Sequence, residues 1–149
     1  VSISFVGQVD VTTTSDGTGT GTLRAAIQAA NLEVGLNTIV LRTGETYTLE
    51  PAGADEDANL TGDLDITESG GLIIRGSGAT IEVVGSVDRV FDIHFGASLT
   101  LLDVTITGGA VSGSGGGIRN SGGTLISAFN LYLQFTFDIF LSYFVKCFA

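Results

Sequence analysis

Residues 88–109 read DRVFDIHFGASLTLLDVTITGG. Phe91 and Ile93, then Leu99 and Leu101, then Val104 and Ile106 alternate with polar neighbours. Each pair is the signature of a short strand buried on one face, and the glycines that follow mark corners. The same pattern extends on both sides. Upstream lie Thr38-Ile39-Val40-Leu41, Thr46-Tyr47-Thr48-Leu49, Asp63-Leu64-Asp65-Ile66, Leu72-Ile73-Ile74-Arg75 and Thr80-Ile81-Glu82-Val83.

These strands are not independent. Leu72 lies 27 residues before Leu99, Leu99 lies 26 before Leu125, and Phe91 lies 27 before Ile118. A steady period in the twenties is one turn of a three-sheet solenoid; a sandwich of hairpins has no need of it. No helix separates the strands, which excludes a βαβ sheet. The expected fold is an all-β solenoid, a right-handed parallel β-helix. Leu64, Ile66, Leu72, Ile74, Phe91, Ile93, Leu99, Leu101, Val104 and Ile106 stack inside it, with Phe95 turned the same way. Asp63, Asp65, Asp92, Thr100, Thr105 and Thr107 are expected to face water.

A solenoid exposes its core and its strand edges at each end, so it needs a cap. The one helical pattern, over about 22–32, meets that need. Leu23, Ala26, Ile27 and Ala30 form a single apolar stripe, Thr22 is the expected N-cap and Gly35 the expected stop. Three segments follow: an N-terminal cap over 1–36, coils over 37–127, and an atypical aromatic tail over 128–149. From Phe129 to Phe148 the chain carries eight of its 12 aromatic residues (nine Phe and three Tyr) and no glycine. The preferred reading of the tail is a truncated or frame-shifted gene end. A hydrophobic cap on the last coil comes second and a membrane anchor third, because Asp138 interrupts the apolar run. Membrane contact is expected only if the 129–148 tail is native sequence.

Composition narrows function. The formal charge of −10 repels nucleic acid and anionic lipid. Cys147 is the only cysteine, which excludes an intrachain disulfide and a thiolate metal site. The chain opens at Val1 without a basic and then apolar leader, so either a signal peptide has been removed or the chain is part of a longer one.

Candidate chemistry is sparse. Asp63 and Asp65 share one strand face, as do Asp92 and His94, the only histidine. Paired carboxylates at that spacing could cleave a glycosidic bond, and Asp92 with His94 could act as an acid–base pair. The plainer reading is outward polar residues of short strands. Asp55, Glu56 and Asp57, with Asn59, offer clustered oxygens for Ca2+, but without EF-hand or calcium β-roll spacing a solvated loop is preferred. No other cofactor is expected. Gly113-Ser114-Gly115-Gly116-Gly117 lacks the Lys-Ser/Thr of a phosphate loop and is read as a corner.

The run Thr22-Leu23-Arg24-Ala25-Ala26-Ile27-Gln28-Ala29-Ala30-Asn31 opens a longer resemblance. Asn37–Leu41, Tyr47–Leu49, Gly62–Ile66, Asp88–Ile93, Gly96–Leu101, Val104–Gly109 and Gly115–Asn120 follow in order. Over about 9–127 this resembles bacterial β-helix proteins with a CSLREA-type N-terminal motif. The resemblance implies an exported, adhesin-like module of a large extracellular, cell-surface or outer-membrane-associated protein, with a glycan or protein surface as partner. It implies no reaction. The alternatives are a carbohydrate-active enzyme, lyase or hydrolase, on the same scaffold, and a truncated fragment without independent function. Gly21 stands where that family often has Cys, and Ala25 where Glu is usual.

Overall fold

The computed structural model describes residues 7–50, 53, 56–85, 88–111, 115–128, 132–134 and 145–148. It is a parallel β-solenoid of about four turns with, among the described residues, one short helix. The elements are β1 (Gln8–Asp10), α1 (Leu23–Leu32), β2 (Asn37–Val40), β3 (Thr46–Leu49), β4 (Leu64–Ile66), β5 (Leu72–Val83), β6 (Phe91–Ile93), β7 (Ser98–Gly108), β8 (Ile118–Asn120), β9 (Thr124–Ala128), β10 (Tyr132–Gln134) and β11 (Val145–Phe148).

Every strand pairing is parallel, and three faces result. The first stacks β1, β2, the opening half of β5, the opening half of β7, β9 and β11. The second stacks β3, the closing halves of β5 and β7, and β10. The third stacks β4, β6 and β8. Ile39, Ile74 and Leu101 form one inward column, Tyr47, Ile81 and Ile106 another, and Leu64, Phe91 and Ile118 a third. The expected inward residues are all buried except Phe95, which is 88% exposed. Phe95 lies past the end of β6, where the chain has entered a turn and the two-residue alternation no longer governs direction.

Two pairs of expected strands are single bent strands. Thr80–Val83 continues Leu72–Arg75 as β5, around a corner at Gly76-Ser77-Gly78. β7 turns the same corner with Asp103 alone, in the left-handed region at φ 52°. A Cβ on Gly76 would meet the Asp103 carbonyl oxygen at 2.3 Å, so the longer corner folds tightly onto the shorter one. In the 128–149 segment the described backbone continues the solenoid: β10 pairs with Thr105–Thr107 and β11 with Leu125–Ala128. The alternation at Ile3-Ser4-Phe5-Val6, which reads as a further short strand, lies outside the described residues.

The helix forms where its pattern places it. Thr22 is extended, and its hydroxyl accepts from the Ala25 amide. Leu23 and Ile27 are buried against the first coil. The helix ends at Leu32, ahead of the expected stop at Gly35. Glu33 is already extended and donates its amide to the Ala30 carbonyl, while Asn37 Nδ2 reaches the same oxygen. Gly35 takes a positive φ two residues later. At Gly21 a Cβ would meet Thr12 Oγ1 at 2.4 Å, so the cysteine position of the resembled motif holds a residue without a side chain at a tight contact.

Candidate functional site

The third face gathers the residues on which the sequence reading placed chemistry. Its inward positions are apolar, so its alternate positions point out. Parallel register aligns Asp65 on β4, Asp92 on β6 and Arg119 on β8 into one outward column. Adjacent coils lie about 4.8 Å apart, so two carboxylates stack directly on each other, an unfavourable pairing that the third member offsets. Arg119 Nη2 donates to Asp92 Oδ2.

These carboxylates do not face water as expected. Asp63, Asp65 and Asp92 are 3%, 0% and 1% exposed. Over Asp65 lies the 56–62 loop. Glu56 accepts the amides of Ala58, Leu60 and Thr61, which curls the loop. Asn59, in the left-handed region at φ 56°, then pairs with the backbone of Asp65 in both directions, Nδ2 to the carbonyl and the Asp65 amide to Oδ1. Alternation predicts which side of a strand a residue takes; it is silent on whether a loop lies over that side.

Under the loop the charges interlock. Arg89 Nη1 lies 3.2 Å from Asp63 Oδ2 and 3.6 Å from Asp92 Oδ2. Asp88, also buried, accepts the Asp63 and Arg89 amides. His94 Nε2 is 2.9 Å from Asp65 Oδ1, but 4.0 Å from Asp92 Oδ2 and 3.9 Å from Asp57 Oδ1. The histidine therefore pairs with Asp65 across one coil rather than with Asp92 on its own strand. Among the described residues, three buried side-chain polar atoms have no hydrogen-bond partner: Asp65 Oδ2, Asp92 Oδ1 and Arg89 Nε.

This environment disfavours ionised carboxylates. Burial, reinforced by Asp65, Asp88 and Asp92 and opposed by Arg89, pushes Asp63 up to about 7. Burial also raises Asp65, to about 6, with His94 pulling the other way. The Arg119 guanidinium is held above its ordinary value by its bond to Asp92.

Of the residues considered for Ca2+, Glu56 spends its carboxylate on loop amides, Asp57 is 75% exposed beside His94, and Asp55 lies outside the described residues. Asn59 serves the Asp65 backbone. Gly115, Gly116 and Gly117 lead directly into β8, as a corner should, whereas Gly113 and Ser114 are not described.

The sequence reading missed Arg24. It is 1% exposed and uses all five N–H donors: Nε and Nη2 clasp the Asp16 carboxylate, while Nη1 and Nη2 reach the carbonyls of Thr61, Gly62 and Asp63. Gln28 Nε2 donates to the Asn59 carbonyl, and Asn31 bridges the Asp65 carbonyl and the Thr67 amide. Arg24, Gln28 and Asn31 stand at i, i+4 and i+7, a polar stripe beside the apolar one. That spacing is the signal that could have found them. Compared with protein-family models, curated proteins and solved structures, the chain finds no match.

Proposed function

We propose that the chain is a non-catalytic module of a longer secreted or cell-surface protein, one that docks a glycan or protein surface through the outward rows of a right-handed β-helix. The supporting observation is a contrast between faces. On the third face the carboxylates are buried and paired, Asp63 and Asp92 with arginines and Asp65 with His94. On the second, Thr46, Thr80 and Thr105 align in one outward row, and Thr48, Glu82 and Thr107 in the next, all at least partly exposed. Such rows repeat about every 4.8 Å across coils and about 7 Å along a strand. They offer hydroxyl donors and acceptors to a repetitive polar ligand. Right-handedness rests on the strong preference of parallel crossovers for that hand. The CSLREA-like run supports export by resemblance alone.

A glycan array and retention on intact cells test this reading. Thr80→Arg with Thr105→Arg is expected to abolish whatever binding the unmodified chain shows. Failure of the folded chain to bind any glycan or cell surface overturns it. A second reading, a polysaccharide-cleaving enzyme, would need Asp63 as its general acid; the raised pKa suits that role, but the side chain is buried and held by Arg89. Cleavage of a polysaccharide, lost in Asp63→Asn, would replace the first reading with the second.

A further inference from the structure

His94 Nε2 has three carboxylate oxygens within 4.0 Å: Asp65 Oδ1, Asp57 Oδ1 and Asp92 Oδ2. They come from three places, the 56–62 loop, β4 and the β6 strand with its exit turn. Asp57, Asp65 and His94 bring ligand atoms mutually within 4.8 Å. A second observation is independent of that clustering. Asp65 Oδ2 and Asp92 Oδ1 are buried oxygens with no donor. The two oxygens of a carboxylate are held together by one carbon, so Asp65 Oδ2 lies beside the cluster atom Oδ1, and a cation held by both oxygens of Asp65 gives it a partner. A buried oxygen without a partner carries a desolvation cost that a bound cation removes.

We propose that Asp57, Asp65 and His94 bind a divalent cation of the Zn2+ or Mn2+ class, with solvent completing its shell. One imidazole among carboxylates suits those ions, whereas Ca2+ takes six to eight oxygens. Metal–nitrogen and metal–oxygen bonds of about 2.1 Å place neighbouring ligand atoms roughly 3 Å apart. The Nε2–Oδ1 separation of 2.9 Å is already close to that, so the cation takes the place of the shared proton. The neighbouring trio Asp63, Asp65 and Asp92 is a poorer site, because Arg89 already stands between Asp63 and Asp92. The exposure of Asp57 and the partial exposure of His94 leave a path from solvent. The bound ion would staple the loop to the following coil, whatever the other faces bind.

The test uses the full chain in chelator-treated buffer, with Zn2+ and Mn2+ as probes. Calorimetry is expected to show one equivalent bound, together with a rise in Tm. His94 is the only histidine, so its 15N shifts report coordination at Nε2 without assignment ambiguity. Asp57→Asn, at an exposed position, is expected to weaken binding by at least about tenfold. His94→Ala removes it, and Cys147→Ser leaves it unchanged. No saturable binding by the folded chain, imidazole shifts that do not move, or equal affinity in Asp57→Asn each overturns the proposal.

Discussion

At the scale of single residues, the chain holds its charges in two contrasting ways. Arg24 is buried with every donor engaged, and its partner Asp16 sits below the ordinary carboxylate range. Burial alone would raise Asp16; the hydrogen bond and charge of Arg24, with two backbone amides, outweigh it. Arg24→Ala leaves Asp16 and three carbonyls without their donor, so a loss of about 3–5 kcal/mol is expected in urea unfolding. Asp63 is the opposite case. Its folded pKa, about 7, lies above the 3.8 of a free aspartate side chain, so the folded state binds the proton more tightly. Stability contributed by this group is present at low pH and declines as pH rises from 3.8 through about 7. Asp16, lowered in the fold, works in reverse: its contribution is complete above its unfolded pKa and lost as pH falls through its folded value. Stability is therefore expected to peak in mild acid. Asp63→Asn should flatten the decline toward neutral pH, measured by denaturation with chelator present.

At the scale of elements, the helix does two jobs with two stripes. Leu23 and Ile27 close the first coil, and Arg24, Gln28 and Asn31 stand in for a strand by bonding the backbone of β4 and the loop before it. An open strand edge is a template for pairing with another chain. Replacing Arg24 by Met and both Asn31 and Asn59 by Ala together exposes that edge, and concentration-dependent self-association is expected by light scattering. Corners are decided by close approach as much as by φ. Gly76→Ala drives a Cβ into the Asp103 carbonyl and should cost about 3 kcal/mol in thermal or urea unfolding. Gly78→Ala meets nothing within 4 Å and carries only the penalty of a left-handed φ, about 1 kcal/mol.

At the scale of the whole molecule, the sequence alone determined the repeat, the inward columns and the position of the cap. Each rests on local periodicity: two residues along a strand, about 27 between coils and 3.6 along the helix. Phe91 stacks on Leu64 and Ile118 because inward apolar positions recur at that spacing. Tertiary structure decided what covers the outward side. Asp63, Asp65 and Asp92 alternate as surface residues do, yet they are buried: Asn59 ties the 56–62 loop onto Asp65, and arginines from neighbouring coils meet Asp63 and Asp92. The pairing of His94 with Asp65 depends in turn on the register between coils. Periodicity fixes which way a side chain points, since that is a property of the local backbone; whether water or another segment waits there is settled only when distant parts of the chain meet.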